Sequence, residues 1–249
     1  MIKPLLNMRV LFLRSNEDVE ELSKTISELG GQPVHVELIR KEPPTDWSAL
    51  DHALMKVDSY DWIVFTSRTG VRALVQRARD VRVDLGRMRG RIAAVGPSTA
   101  EAVEKYGLKV AFIPSRYLTN ILAEQLPDVS GKEILLVRSE GVDDSMTRIL
   151  KSRGASVEQV PAYRVILVDY QPHLPQFDAV ILTSPSAALA LVKALETHSG
   201  HLGDDVIVCC IGPVTAKAAE ALGIRVNLVA ERHTVGGAIE SLVRRLSPC

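Results

Sequence analysis

RIAAVGPSTAEAVEKYGLKV, running from Arg91 to Val110, returns as VIVCCIGPVTAKAAEALGIRV between Val206 and Val226. In both stretches a short apolar run meets Gly-Pro, a segment with helical spacing follows, and a glycine (Gly107 or Gly223) precedes another β-branched run. That is the signature of strand, turn, helix and strand. Working outward, YDWIVFTSRTGVRALVQRA from Tyr60 is echoed by FDAVILTSPSAALALVKAL from Phe177. RVLFLRSNEDVEELSKTISELGGQPV from Arg9 is echoed by EILLVRSEGVDDSMTRILKSRGASV from Glu133, which pairs Arg14-Ser15 with Arg138-Ser139. The pairs Asp61/Asp178, Thr66/Thr183, Ser67/Ser184, Gly96/Gly212, Pro97/Pro213 and Thr99/Thr215 keep nearly constant spacing. Such agreement marks an internal duplication.

The units therefore follow one another as short, long, short, long. β-branched runs alternate with helical ones throughout, as in the first helix, where Val19, Leu22, Ile26 and Leu29 share a face that ends at Gly30-Gly31. Right-handed crossovers and parallel sheets follow from that alternation. Each pair of one short and one long unit supplies about five strands, giving two similar α/β domains. Two extended segments, PVHVELIRKEPP from Pro33 and VPAYRVILVDYQP from Val160, have the character of linkers running side by side. Tandem domains need one linker. Two linkers predict a discontinuous first domain (1–36 and 169–249), an inserted second domain (41–163), and paired linkers (37–40 and 164–168).

The 249 residues carry Lys+Arg 30 against Asp+Glu 30, a formal net charge of zero, and only 4% aromatics. Sequence-independent nucleic-acid binding needs a cationic surplus, and base stacking needs aromatics, so a nucleic-acid partner is excluded. The longest apolar run, from Val206 to Ile211, falls far short of the ~20 residues that span a bilayer. The N-terminal stretch lacks the features of a secretory leader, and a cytoplasmic location is expected. Cys209 and Cys210 lie inside the apolar run and Cys249 ends the chain, so neither a disulfide framework nor a metal-ligand spacing exists, and buried thiols are expected. His198 and His201 share a loop-like segment whose spacing does not make a metal site.

Chemistry is sparsely marked. There is no G-x-G-x-x-G after a strand, no Walker loop and no nucleophile or zinc motif. Thr66-Ser67-Arg68 and Thr183-Ser184-Pro185-Ser186 stand where a strand passes into a helix; capping explains the serines, and the carboxyl edge of a parallel sheet is also where open α/β folds bind ligands. The Gly-Pro turns lead into helix N-termini that favour anions, with Thr99 and Thr215 adding hydroxyls, and Ser98 with Glu101 fits a capping box. Arginines are dense from Arg68 to Arg91, most of them suited to a solvated surface, with Arg68 set apart by its place at the turn.

The duplicated units, VGPSTA, IGPVTA, the Thr-Ser strand ends and VPAYRV together resemble the uroporphyrinogen-III synthase family, from about Met8 to Leu246. The resemblance implies two flavodoxin-like domains, the second inserted into the first, joined by a two-stranded linker. It implies conversion of hydroxymethylbilane, a linear tetrapyrrole with eight carboxylates, to uroporphyrinogen III. Water is lost, the fourth ring is inverted through a spiro intermediate, and no metal or organic cofactor takes part. By position, Tyr163 in VPAYRV matches the family's linker tyrosine and would assist departure of hydroxide. Ser67, Ser184, Ser186, Thr99 and Thr215 match hydroxyl positions of the substrate site, with Arg14, Arg68 and Arg138 as carboxylate partners. Val214 and Val165 stand where hydroxyls are common. A monomer is expected, with hand-over from the bilane-forming enzyme as the one protein contact, and two linkers suggest a hinge that closes on the bilane. The alternative is a two-lobed α/β ligand-binding module without catalysis. A flavin-binding domain is disfavoured by the missing phosphate loop.

Overall fold

The computed structural model describes residues 3–13, 19–169, 173–197 and 200–246. In chain order, β1 (Arg9–Phe12), α1 (Val19–Glu28) and β2 (Gln32–His35) come first, followed by β3 (Ile39–Glu42). Next come α2 (Ser48–Met55), β4 (Trp62–Phe65), α3 (Arg68–Asp80), β5 (Arg91–Ala94), α4 (Pro97–Glu104), β6 (Val110–Phe112) and α5 (Thr119–Gln125). β7 (Glu133–Ser139), α6 (Ser145–Ser152) and β8 (Ser156–Leu167) complete the middle. The chain closes with β9 (Ala179–Leu182), α7 (Pro185–Thr197), β10 (Ile207–Cys210), α8 (Pro213–Ala221), β11 (Leu228–Val229) and α9 (Val235–Leu246). It divides into two compact units, one formed by 1–41 with 166–249 and the other by 42–165.

The first unit holds a five-stranded sheet in the order β11-β10-β9-β1-β2, with parallel pairing throughout. Counting the short segment first, this is the 2-1-3-4-5 order of flavodoxin-like folds. The second unit has the order β8-β7-β4-β5-β6, also parallel, and β3 pairs beside β8. It is the same 2-1-3-4-5 sheet, permuted so that the long segment precedes the short one. β8 is thus a sheet strand from Ser156 onward, and only its last residues serve as linker.

Alternation along each strand buries both faces, as a parallel sheet covered by helices on two sides requires. Leu11, Val180, Leu182, Val208 and Cys210 face α7 and α8, while Val10, Phe12, Ile181 and Cys209 face α1 and α9. In the second unit Ile63, Phe65, Leu135 and Val137 face α2, α3 and α4, and Trp62, Val64, Ile134 and Leu136 face α5 and α6. The adjacent Cys209 and Cys210 therefore belong to different layers, and burial pushes their thiols up to about 12 and about 11. They are unreactive core residues.

One further expectation meets the structure differently. The capping box at Ser98 does not form. Pro97 occupies the first helical position, so the cap falls on Gly96 and Ser98 lies within the first turn. The dense arginines are mostly exposed, as a solvated surface requires, and several also hold distant partners. Arg77 makes a bidentate pair with Asp51 (2.7 and 2.6 Å), Arg87 meets Asp58 at 2.9 Å, and Arg91 meets Asp128 at 3.3 Å while lying over Trp62.

Candidate functional site

In a 2-1-3-4-5 sheet the strand order reverses between the first and third strands, and ligands bind beyond the carboxyl ends there. In the second unit those strands are β7 and β4, and they end in Arg138-Ser139 and Thr66-Ser67. Ser67 is the N-cap of α3, its Oγ accepting from the Gly70 N–H at 3.0 Å. Its neighbour Arg68 opens the helix and is half-buried.

Tyr163 reaches this point because β8 carries a bulge. Arg138 stands opposite Pro161, but Ser139 stands opposite Tyr163, so one residue is skipped. The bulge turns Tyr163 to the same layer as Val160 and Ala162, against the side of the sheet that α3 covers. The Glu140 N–H donates to the Tyr163 carbonyl at 2.7 Å and holds the irregular strand end. The Ser67 hydroxyl lies near the Tyr163 phenol and acts on it. Burial pushes that phenol above the ordinary tyrosine value, while the nearby Ser67 hydroxyl and the Arg138 charge pull in the opposite direction.

Arg138 is 7% exposed. Its Nη1 donates to the Asp143 carbonyl at 2.9 Å, its Nε has no hydrogen-bond partner, and desolvation lowers its pKa. The cation is thus held inside the wall, where it acts on Tyr163 by charge.

The first unit repeats the arrangement at the ends of β1 and β9. The Ala187 N–H donates to the Ser184 Oγ at 3.1 Å as α7 begins at Pro185, and Ser186 is half-buried in the first turn. Arg14, which follows β1, lies outside the described residues, as does His198. Thr99 and Thr215 sit inside the first turns of α4 and α8, each 3% exposed, and offer little surface to a ligand. Val214 and Val165, which stand where hydroxyls are common, are both exposed. The structure thus brings Ser67, Arg138 and Tyr163 together in one unit and sets Ser184 and Ser186 at the equivalent edge of the other. Tyr117 and His233, which pack on Gly96 and Gly212, do not stand out in the sequence. Equal spacing from the two glycines, 21 residues in each case (96 to 117, 212 to 233), is the signal that could have found them.

No group of three or more metal-binding side chains occurs among the described residues. A cavity of about 560 Å³ lined by Leu195, His201, Leu202, Val206 and Ile224 lies at the opposite, amino edge of the first unit's sheet, where β10 begins. It is remote from the strand ends that carry the serines. No described helix is long and apolar enough to cross a membrane.

A duplicated flavodoxin-like α/β protein, with one unit inserted into the other and hydroxyls at its strand ends, is the class these features define. The family model described as uroporphyrinogen-III synthase HemD matches residues 20–240, and the chain belongs to that family. It is 27% identical to the uroporphyrinogen-III synthase of Synechococcus elongatus, covering 98% of both chains. It is 26% identical to the porphyrin biosynthesis protein HemD of Ruminiclostridium josui, matching 98% of this chain and 49% of that one. Among solved structures, uroporphyrinogen III synthases from Thermus thermophilus (TM-score 0.67, 19% identity, 96% of this chain and 98% of that one) and Helicobacter pylori (TM-score 0.60, 18% identity, 96% and 100%) share the fold.

Proposed function

We propose that the chain is a uroporphyrinogen-III synthase that closes hydroxymethylbilane to uroporphyrinogen III and water without a cofactor. The family match over residues 20–240 carries this reading. The reaction balances without outside help. Loss of hydroxide from the first ring leaves an azafulvene, and the fourth ring attacks it through its substituted carbon to form a spiro intermediate. Fragmentation and re-closure then join the inverted ring, with the leaving oxygen departing as water. No electrons are gained or lost overall, so no redox partner is called for.

Tyr163 protonates the departing oxygen, oriented by Ser67, while Arg138 stabilises the charge that develops on the phenol. Ser184, Ser186 and Arg68 bind substrate at the two strand edges. The bilane also closes unaided to the uninverted type I isomer, so the protein's main task is to hold the fourth ring in the orientation that leads to inversion. The test is direct: supply hydroxymethylbilane and separate the product isomers. Type III in excess is expected. Type I alone, at the uncatalysed rate, sinks the proposal in favour of a non-catalytic binding module.

A further inference from the structure

Gly96 and Gly212 cap α4 and α8 in fully extended backbone, with φ of −170° and −179°. Any residue adopts those angles, so torsion does not explain glycine at either place. An aromatic ring does. A Cβ on Gly96 would lie 3.2 Å from Cγ of Tyr117, and one on Gly212 would lie 3.2 Å from Cδ2 of His233. The match extends to the backbone. Tyr117 is the middle of a three-residue turn closed by the Leu118 N–H on the Arg116 carbonyl at 2.8 Å, and His233 of one closed by Thr234 on Arg232 at 2.7 Å. An arginine precedes the ring each time and a helix, α5 or α9, begins within two residues after it. What the duplication has kept is a flat ring on a glycine, since phenol and imidazole share little else.

Rings that only filled space would be buried. Tyr117 is 42% exposed and His233 is half-buried, although each is covered on its glycine side. Both lie just beyond the carboxyl ends of β5 and β10, on the edge of the sheet where the serines stand.

We propose that Tyr117 and His233 are substrate-binding residues, one in each unit, whose open surfaces pack against pyrrole rings of the linear tetrapyrrole. This rests on the synthase reading above. A pyrrole is a flat, electron-rich ring, and aromatic contact fixes its plane while leaving it free to be re-bonded. Position, rather than acid or base strength, is what ring inversion needs.

The experiment compares Tyr117→Ala and Tyr117→Phe, with His233→Ala and His233→Phe, on the full chain supplied with hydroxymethylbilane. The expected result for each Ala variant is a KM raised about 3- to 10-fold and a smaller type III fraction. Each Phe variant keeps values near wild type. Gly96→Ala, which pushes the Tyr117 ring outward, reproduces the Tyr117→Ala phenotype. Ala variants that melt earlier but keep wild-type KM and isomer ratio overturn the assignment and leave the rings as packing residues. If the Ala variants fail to fold, Gly96→Ala decides for Tyr117 and Gly212→Ala for His233: a raised KM and a smaller type III fraction at wild-type thermal stability uphold the assignment, and wild-type values overturn it. A wild-type protein that makes only type I overturns the synthase reading and this inference with it, an outcome distinct from failure of the rings alone.

Discussion

Tyr163 shows how far a single residue can be read. Its motif, VPAYRV, singles it out, and so do the Thr-Ser strand ends that include Ser67, but that the two side chains meet depends on the skipped residue between Arg138 and Ser139. A one-residue bulge leaves no trace in a pattern of apolar residues, because Pro161, Ala162 and Tyr163 fit either register. The burial of Arg138 was equally hidden. Near the end of β7, Arg138 is expected as a carboxylate partner, but the neighbouring β8 and the Asp143 loop enclose it. The chemical prediction follows from the role proposed for Tyr163. Tyr163→Phe removes the proton donor and almost no volume, so the protein should fold and the rate of type III formation should fall by on the order of 10²-fold, with type I taking its place; a wild-type rate and isomer ratio would refute the role. A pH prediction accompanies it. Burial raises the phenol's pKa, so Tyr163 stays protonated through neutral pH and loses its proton only above the ordinary value of about 10. Arg138→Met removes a positive charge that favours the phenolate, so ionisation moves higher still. Tyrosinate absorbance titrated for wild type, Tyr163→Phe and Arg138→Met gives the Tyr163 curve by difference, and a midpoint at or below 10 in wild type contradicts the account.

At the level of elements, the duplication made the strands legible even where they are short, as in β11, because each except β3 had a twin elsewhere in the chain. The pair Asp61/Asp178 explains one reason the twins resemble each other. Asp178 precedes β9 and accepts the backbone N–H of Arg9 at 2.8 Å and its Nη2 at 2.7 Å, tying down the start of β1. Asp61 precedes β4 and accepts the Glu133 N–H at 2.9 Å and Lys132 Nζ at 2.9 Å, tying down the start of β7. In both units, then, one carboxylate pins the two strands that flank the reversal of the sheet, at the end opposite the candidate site. Spacing alone marked these aspartates as repeated, but not as strand staples. Asp178→Ala should cost about 1–2 kcal/mol, a charged hydrogen bond discounted for partial exposure, as read from the urea midpoint. Its bond to Arg9 lowers the carboxyl's pKa in the folded state. That stabilisation is present above the unfolded value of about 3.9 and disappears as pH falls through the lower, folded one. Stability of the variant should therefore converge on wild type in strong acid. A constant gap between the two proteins down to about pH 2, below the unfolded value, would show that the loss is packing rather than charge.

At the scale of the whole molecule, zero net charge gives no overall attraction for the octa-anionic substrate of the proposed reaction, so the proposal assigns its carboxylates to local groups, Arg68 and the strand-edge hydroxyls among them. The same scale explains why one unit can be discontinuous. Both sheets have the order 2-1-3-4-5, one built from separated segments and the other with its long segment first, so strand neighbours rather than chain order define the fold. An asymmetry in folding follows. Residues 42–165 contain every strand and helix of their unit except the β3 neighbour of β8, with apolar layers on both faces of the sheet. Residues 166–249 lack β1 and β2, which leaves the hydrogen-bonding edge of β9 open and uncovers Ile181 and Cys209, the residues that pack with Phe12 and α1. An open apolar edge of that kind promotes association instead of folding. The 42–165 segment made alone should unfold in a single urea transition with helical circular dichroism and leave hydroxymethylbilane to close to type I. The 166–249 segment should show no such transition until residues 1–41 are supplied. If 166–249 folds cooperatively by itself, the central place of β1 is not what holds that unit together.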